Sequence, residues 1–177
     1  MRNLTAFTED RLLNVIVESP RGSSAKFKWV ESVGLITLSR PLPTGLVYPC
    51  DWGFIPGTRA ADGDPLDAFV LWEGHAYPGV LLQCRVLGML RVTQVPHATG
   101  VPERNDRIAA IPASDARANR IESVDDLPER VRRELEQFFQ AVVAFEPKTV
   151  TIEGWGSPDQ AIDAVKVSLH GGRTPTN

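Results

Sequence analysis

The stretch Asp62-Gly63-Asp64-Pro65-Leu66-Asp67 places three carboxylates within six residues, and the apolar run Ala68-Phe69-Val70-Leu71 follows it directly. Carboxylates this close to one another repel unless cations lie between them. Carboxylate oxygens are the ligands that Mg²⁺ and Mn²⁺ prefer, and two such ions can stabilise both the attacking and the leaving oxygen of a phosphoryl transfer. The stretch therefore predicts metal-assisted phosphate chemistry at the mouth of a β-strand.

The same residues are also typical of a surface turn, in which Gly and Pro supply the backbone angles and Asp bonds to its own chain. Asp67 favours the metal interpretation, because it stands at the start of a strand, where exposed turn acids usually give way to apolar residues. A calcium loop of the EF-hand type is not indicated, since the stretch lacks the closing Glu and the length of that loop.

Composition indicates a soluble enzyme of ordinary size. The 177 residues suffice for one domain with a substantial core. We expect a single domain over residues 1–177, with its core at about 12–169 and a disordered tail at 172–177. The net charge of −3 offers no basic surface for nucleic acid. No segment approaches the roughly 18 apolar residues that span a membrane, and no signal sequence is visible, so we expect a cytoplasmic protein.

The chain contains two cysteines, Cys50 and Cys84. They lie far apart in the sequence and form no C-x-x-C motif, so neither a disulfide framework nor a zinc site is indicated. Both are expected to be buried, reduced thiols.

Hydrophobic periodicity predicts strands over the first two thirds of the chain and helices after them. A helix is expected over Asp126–Glu146, with Asp126 and Glu129 as its capping pattern, and a second from Ser157-Pro158 to Gly171-Gly172 with Gln160 in its cap. Spacing alone gives a β-rich α+β fold. The predicted strands are Leu12–Val17, Phe27–Val30, Leu35–Leu38, Phe69–Leu71 and Val80–Val95, the last long enough for one bent strand or two.

The residues that lead into the acidic stretch resemble a known family. Tyr48-Pro49-Cys50-Asp51-Trp52-Gly53-Phe54-Ile55-Pro56, Thr58 and then Asp62–Asp67 are similar to the signature region of the soluble family I inorganic pyrophosphatases. The resemblance covers roughly Leu12 to Leu169. Further segments fall at the family's spacings: Val15-Ile16-Val17-Glu18-Ser19-Pro20, Lys26, Arg40, Cys84-Arg85-Val86-Leu87-Gly88, Leu127-Pro128 and Glu153-Gly154-Trp155.

This resemblance implies both a fold and an activity. The fold is a small closed β-barrel of the OB-like type, made mostly of antiparallel strands, with two C-terminal helices packed outside it. The activity is Mg²⁺-dependent hydrolysis of inorganic pyrophosphate to two phosphates, with Mn²⁺ as an alternative metal. The resemblance also implies a homo-oligomer, which is a hexamer in bacterial members.

The resemblance further assigns roles to single residues. Asp62 and Asp67 match acids that bind the activating metals, and Glu18 matches an acid that engages metal through water. Asp64 matches the general base, which takes a proton from the attacking water. Three residues match phosphate-binding groups of the family: Lys26, Arg40 and Tyr48.

Several positions depart from the family pattern. Lys28 replaces a Glu and, two residues from Lys26 on a strand, should enter the same pocket. We expect Lys28 and Arg107 to bind phosphate in place of missing metal charge, and Asn105 to bind metal through its side-chain carbonyl. A one-residue shift of the alignment would instead bring Asp106 into the pocket and turn Arg107 away. The other replacements remove polar groups: Trp52 for Tyr, Gln94-Val95 for an Asp-Glu pair, and Val142-Val143 for a Tyr-Lys pair.

Three functions remain open from the sequence alone. The first is a divergent, slower Mg²⁺-dependent inorganic pyrophosphatase, which we favour because the acids that generate the nucleophile are present. The second is a hydrolase of another phosphoanhydride or phosphoester, with Trp52, Val142 and Val143 lining a pocket for an organic group. The third is a non-catalytic homologue that binds phosphate, a nucleotide or a partner protein. Retention of Asp64 speaks against the third, and loss of the Tyr-Lys pair speaks against the first.

Overall fold

The computed structural model of the protein describes residues 4–60, 63–116 and 119–170. Asp62 and the tail expected at 172–177 lie outside the described residues. Nine strands and two α-helices form within these ranges. In chain order they are β1 (Leu13–Ser19), β2 (Ala25–Val30), β3 (Leu35–Pro41), β4 (Asp51–Phe54), β5 (Asp67–Val70), β6 (Leu81–Pro96), β7 (Glu103–Arg104), β8 (Arg107–Pro112), α1 (Glu129–Ala141), β9 (Lys148–Gly156) and α2 (Pro158–His170).

Five strands close into a ring. β1 pairs with β4, β4 with β5, β5 with β8 and β8 with β6, and β6 returns to pair with β1. The β5–β8 pairing is parallel, and the other four in the ring are antiparallel. The prediction of a β-rich α+β fold with mostly antiparallel strands and two C-terminal helices is confirmed.

The long strand β6 belongs to the ring and also extends beyond it. Its first residues pair with β1, whereas its later residues pair with β7 and β9. The register shifts between Val86 and Gly88 and again between Leu90 and Val92, as expected of a bent strand. Gly88 has a φ of 148°, and a Cβ at this position would overlap the carbonyl oxygen of Gly156 on β9. The bend thus depends on a residue without a side chain.

Strands β2 and β3 form a separate hairpin that packs beside β1. In its register, Lys26 lies opposite Arg40. The hairpin therefore brings two predicted phosphate-binding cations, which are distant in sequence, onto neighbouring strands. Lys28 lies two residues further along β2, opposite Thr37.

The helices cover two apolar clusters on the strands. In the first, Phe139 of α1 packs against Phe69 of β5 with 5.4 Å between ring centroids. Helix α2 contributes Val165 to the second. Cys50 lies in the first cluster and Cys84 in the second, and both are buried, free thiols, as predicted. Neither described helix is long and apolar enough to cross a membrane.

Helix α1 is shorter than predicted at both ends. A 3₁₀ turn at Val124–Asp126 precedes it, and Asp126 closes a capping box with Ser123 rather than with Glu129. The helix ends at Ala141, and residues 142–146 form turns before Pro147. Proline disfavours helical backbone in the residue before it, so Pro147 explains why the helix does not reach Glu146.

Helix α2 begins with the predicted cap. The backbone N–H of Ser157 donates to Oε1 of Gln160 at 3.0 Å, and the backbone N–H of Gln160 donates to Oγ of Ser157 at 3.3 Å. Each residue therefore satisfies an N–H of the other that the helix itself leaves without a partner.

Candidate active site

Two adjoining cavities open between the β2–β3 hairpin, the ring and the C-terminal end of α1. We call the larger one, of about 490 Å³, the carboxylate cavity, because Glu18, Asp64 and Asp67 line it. The smaller one, of about 140 Å³, we call the aromatic cavity, because Tyr48, Trp52 and Phe139 line it. Four residues line both cavities and so form their common wall: Lys26, Asp67, Asn105 and Lys148.

The predicted site residues converge on these cavities wherever the structure describes them. Asp62 lies outside the described residues. Three of the others line only the carboxylate cavity: Glu18, Lys28 and Asp64. Three line only the aromatic cavity: Arg40, Tyr48 and Arg107. Lys26, Asp67 and Asn105 lie in the common wall.

Glu18 is a buried acid on β1 with 6% of its surface exposed. Its Oε1 accepts a hydrogen bond from the backbone N–H of Trp29 at 2.6 Å. Burial raises the pKa of Glu18 to about 7, the Trp29 hydrogen bond opposes this change, and repulsion from Asp67 adds to it. A cation bound between the two carboxylates would relieve that repulsion.

Lys28 does enter the carboxylate cavity, as the strand periodicity predicts. Its Nζ lies 2.7 Å from Oδ2 of Asp64, and both side chains are about half exposed. The sequence did not predict this ion pair. Because Asp64 is the expected general base, a cation beside it bears directly on how that carboxylate accepts a proton or a metal.

The donor set of the carboxylate cavity suits a hard divalent cation. Glu18, Asp64 and Asp67 offer carboxylate oxygens, and burial together with repulsion from Asp67 raises the pKa of Glu18. Among the described residues, no three His, Cys, Asp or Glu side chains are close enough to enclose a metal by themselves. Mg²⁺ does not need such an enclosure, since it usually keeps several waters and binds one or two carboxylates together with substrate phosphates.

Arg107 is the first residue of β8 and is buried in the aromatic cavity, with 4% of its surface exposed. Its guanidinium lies 4.9 Å from the ring centroid of Phe139 and 5.7 Å from that of Trp52. Its Nε and Nη1 find no hydrogen-bond partner within the described part of the chain. Burial lowers the pKa of Arg107, and the nearby carboxylate of Asp67 opposes this change.

Asp106 does not take the place of Arg107. Its Oδ1 accepts a hydrogen bond from the backbone N–H of Val92 at 2.9 Å, and its Oδ2 pairs with Arg104 at 2.7 Å. These contacts hold Asp106 against β6 and orient the next residue, Arg107, into the aromatic cavity.

Arg40 and Tyr48 line the aromatic cavity and already have protein partners. Nε of Arg40 pairs with Glu146 at 2.8 Å, and its Nη2 donates to the carbonyl oxygen of Val142 at 2.9 Å. Burial raises the pKa of Tyr48, and a hydrogen bond with Ser19 opposes this change. Tyr48 therefore stays protonated at neutral pH and can donate a hydrogen bond to an anion.

Lys148 is a site residue that the sequence interpretation missed. It begins β9, lies in the common wall of the two cavities, and donates from Nζ to Oε1 of Gln94 at 3.0 Å. Burial lowers its pKa, and repulsion from Lys26 and Arg107 lowers it further. The sequence offered one signal for Lys148, which is its isolation: no other Lys or Arg occurs between Arg133 and Lys166.

Comparisons with known proteins place the chain among pyrophosphatases. A family model described as Inorganic pyrophosphatase matches residues 15–171. The inorganic pyrophosphatase of Leifsonia xyli is 40% identical over 157 residues, which are 88% of this chain and 93% of that protein. The structure of the Thermus thermophilus inorganic pyrophosphatase aligns with a TM-score of 0.86 at 32% identity, over 95% of each chain. That of the Coxiella burnetii protein aligns with a TM-score of 0.85 at 30% identity, over 96% of this chain and 100% of the other.

Proposed function

This chain belongs to the inorganic pyrophosphatase family, and on that premise we propose that it hydrolyses inorganic pyrophosphate to two phosphates with Mg²⁺ as its metal. The observation that carries the proposal is the pairing of two cavities through a common wall. Four carboxylates line the carboxylate cavity, and four cationic side chains line the aromatic cavity. A substrate with two linked phosphates can then present one phosphate to each cavity.

The cations supply the affinity for substrate. Lys26 lies in the common wall and is placed to contact either phosphate. Arg107 and Tyr48 offer N–H and O–H donors in the aromatic cavity, whereas Arg40 shares its charge with Glu146. Oxygens of phosphate gain negative charge as the bridging bond breaks, and donors already in place stabilise that charge without reorganisation.

Four acidic or amide residues would hold the metal. They are Glu18, Asp67 and Asn105 within the described residues and Asp62 outside them. The chemistry that Mg²⁺ supplies when bound is to make water more acidic and to offset the negative charge of phosphate. Asp67 is central to this assignment, because it lies in the common wall and its charge acts on Glu18.

Asp64 is proposed as the general base. Its carboxylate lines the carboxylate cavity and is about half exposed, so it can reach a water molecule and pass a proton to solvent. Lys28 holds Oδ2 of Asp64 at 2.7 Å. An ammonium has three N–H donors, so Lys28 can keep this contact and donate to a substrate phosphate at the same time.

The size of the aromatic cavity argues against an organic group bound beside Trp52, Val142 and Val143. At about 140 Å³ it is smaller than the 300–1,000 Å³ typical of sites for drug-sized ligands. Val142 and Val143 lie in its wall beside Phe139. An inorganic phosphate group fits these dimensions better than a nucleoside does.

We also propose a cytoplasmic location and a homohexamer, both of which the family resemblance supports. Light scattering of the purified protein should give a mass six times that of the chain. A mass equal to one chain would remove the oligomer from the proposal.

A substrate panel tests the proposed function. We expect kcat/KM for pyrophosphate with Mg²⁺ to exceed that for nucleoside triphosphates and alkyl phosphates by at least about 100-fold, a loss of roughly 3 kcal/mol in transition-state stabilisation. Omission of Mg²⁺ in the presence of EDTA should abolish turnover. A nucleotide or phosphoester turned over faster than pyrophosphate would overturn the assignment of substrate.

A further inference from the structure

Positive charge exceeds negative charge around the aromatic cavity. The carboxylate of Glu146 pairs with Arg40. The remaining charged residues in the lining are Lys26, Arg107 and Lys148, against the single carboxylate of Asp67. Burial lowers the pKa of Lys148, and repulsion from Lys26 and Arg107 lowers it further, as expected in a cavity with excess positive charge. An anion is the group that would balance these charges.

Neutral side chains hold Lys148 in position. Oε1 of Gln94 accepts a hydrogen bond from Nζ of Lys148 and another from Nδ2 of Asn105, each at 3.0 Å. Gln94 is itself buried, with 6% of its surface exposed. Because both amides are uncharged, Gln94 orients the ammonium of Lys148 without cancelling its charge, and Asn105 holds Gln94 in place.

Buried donors in the same cavity point to an acceptor. Nε and Nη1 of Arg107 and Nε1 of Trp52 have no hydrogen-bond partner in the described ranges, and both residues are more than nine-tenths buried. Buried N–H groups are nearly always paired in folded proteins. Both residues line the aromatic cavity, where the guanidinium of Arg107 lies 5.7 Å from the ring centroid of Trp52.

We propose that Arg107 and Lys148 form an oxyanion subsite that binds one inorganic phosphate without any divalent metal. The proposal rests on the proposed function, since that phosphate would be a product of pyrophosphate hydrolysis, and it identifies Lys148 as a phosphate-binding residue. Nζ of Lys148 retains two further N–H donors beyond the one that Gln94 accepts. The two cations therefore approach a phosphate from β9 and from β8.

Phosphate binding in EDTA tests the subsite. Isothermal titration with inorganic phosphate should give saturable binding to the wild-type protein with no metal present. Lys148→Met should weaken this binding about tenfold or more, the value of one charge-assisted hydrogen bond, and Lys148→Arg should retain most of it. Lys166→Met, on α2 and paired with Asp163, is the matched control and should bind like the wild type. Binding that is absent in EDTA, or equal in Lys148→Met and wild type, overturns the proposal.

A second variant tests the positioning role of Gln94. Gln94→Glu would place a carboxylate against Lys148 with little change in shape, so it should weaken metal-free phosphate binding as well. This variant decides the question if Lys148→Met fails to fold, because an unchanged affinity for phosphate in Gln94→Glu would also overturn the proposal.

Pyrophosphate turnover with Mg²⁺ is a separate readout. Phosphate binding in EDTA without turnover would leave the subsite standing and remove the proposed function, and turnover without such binding would do the reverse.

Discussion

At the scale of single residues, the contact between Lys28 and Asp64 sets this site apart from one built of carboxylates alone. The ammonium lies 2.7 Å from Oδ2, at the carboxylate proposed to accept a proton. A divalent cation that binds near Asp64 has to share that carboxylate with Lys28. The ion pair therefore opposes metal binding through simple charge competition.

Lys28→Met should strengthen metal binding. Removing the ammonium leaves the carboxylate cavity one charge more negative, so we expect the Mg²⁺ concentration that gives half-maximal binding to fall about tenfold, the effect of roughly 1.4 kcal/mol. Calorimetric titration of Mg²⁺ into the phosphate-free protein measures this change directly.

Lys166→Met is again the control for that comparison, because it also removes one lysine from an ion pair with an aspartate, but on α2. Its Mg²⁺ affinity should match that of the wild type. An unchanged affinity in Lys28→Met would show that Lys28 does not compete with metal.

Glu18 predicts a dependence of stability on pH. The unfolded chain releases this proton near pH 4.5, whereas the folded chain holds it to about pH 7. Between these values the folded state binds more protons, so the Glu18 contribution lowers the free energy of unfolding as the pH rises. Glu18→Gln cannot ionise at this position. Between pH 4.5 and pH 8 its free energy of unfolding should therefore rise relative to that of the wild type by up to about 3 kcal/mol.

Urea unfolding in EDTA at the two pH values measures this gain, with Glu9→Gln as an exposed control. The difference in free energy of unfolding between the wild type and Glu18→Gln should change between these pH values. If it does not, burial does not raise the pKa of Glu18.

Individual residues also show what sequence reasoning can reach. The period of two along β2 placed Lys28 in the cavity with Lys26, since that argument needs only local backbone geometry. Lys148 escaped prediction because its position depends on the pairing of β9 with β6, where Gln94 lies. Contacts between strands far apart in sequence leave little trace in local spacing.

At the scale of elements, the approach of β4 to β1 depends on Gly53. Val17 lies opposite Gly53 in this pairing, and a Cβ there would overlap the carbonyl oxygen of Ile16. The atoms it meets belong to backbone, so side-chain movement cannot make room. The strand that carries Trp52 into the aromatic cavity therefore requires glycine at this point.

Gly53→Ala should lower the free energy of unfolding by about 3 kcal/mol, the upper part of the usual cost of overpacking. Chemical denaturation measures it. Gly100→Ala provides the comparison, because a Cβ there meets nothing within 4 Å and only its φ of 63° carries a cost, of about 1 kcal/mol. Equal losses in free energy of unfolding in the two variants would show that β1 shifts to accommodate the extra Cβ at position 53.

Elements with strong local signals were predicted best. The cap of α2 is formed by Ser157 and Gln160, as their spacing indicates. Helix α1 was extended too far, because apolar residues continue at helical spacing to Val142 although the helix ends at Ala141. Those last apolar side chains pack into the first core cluster from a turn.

At the scale of the whole molecule, the ring explains how distant acids meet. β1 carries Glu18, and the parallel pair β5–β8 starts with Asp67 opposite Arg107. Strand spacing alone gave only a β-rich α+β fold, because closure depends on the long-range pairing of β1 with β6. The closed arrangement of strands was predicted from the family resemblance and not from strand spacing. The contact between Lys148 and Gln94 joins β9 to β6, and only the structure reveals it.

The most direct test of the account compares pyrophosphate turnover by the wild type and by Asp64→Asn at saturating Mg²⁺, with Asp163→Asn on α2 as the control. We predict a wild-type kcat above about 1 s⁻¹, a loss of about 10²–10⁴-fold in Asp64→Asn through the missing proton transfer, and no loss in Asp163→Asn. Equal turnover in Asp64→Asn and wild type, or none in either, would contradict the claim that this cleft hydrolyses pyrophosphate with Asp64 as its base.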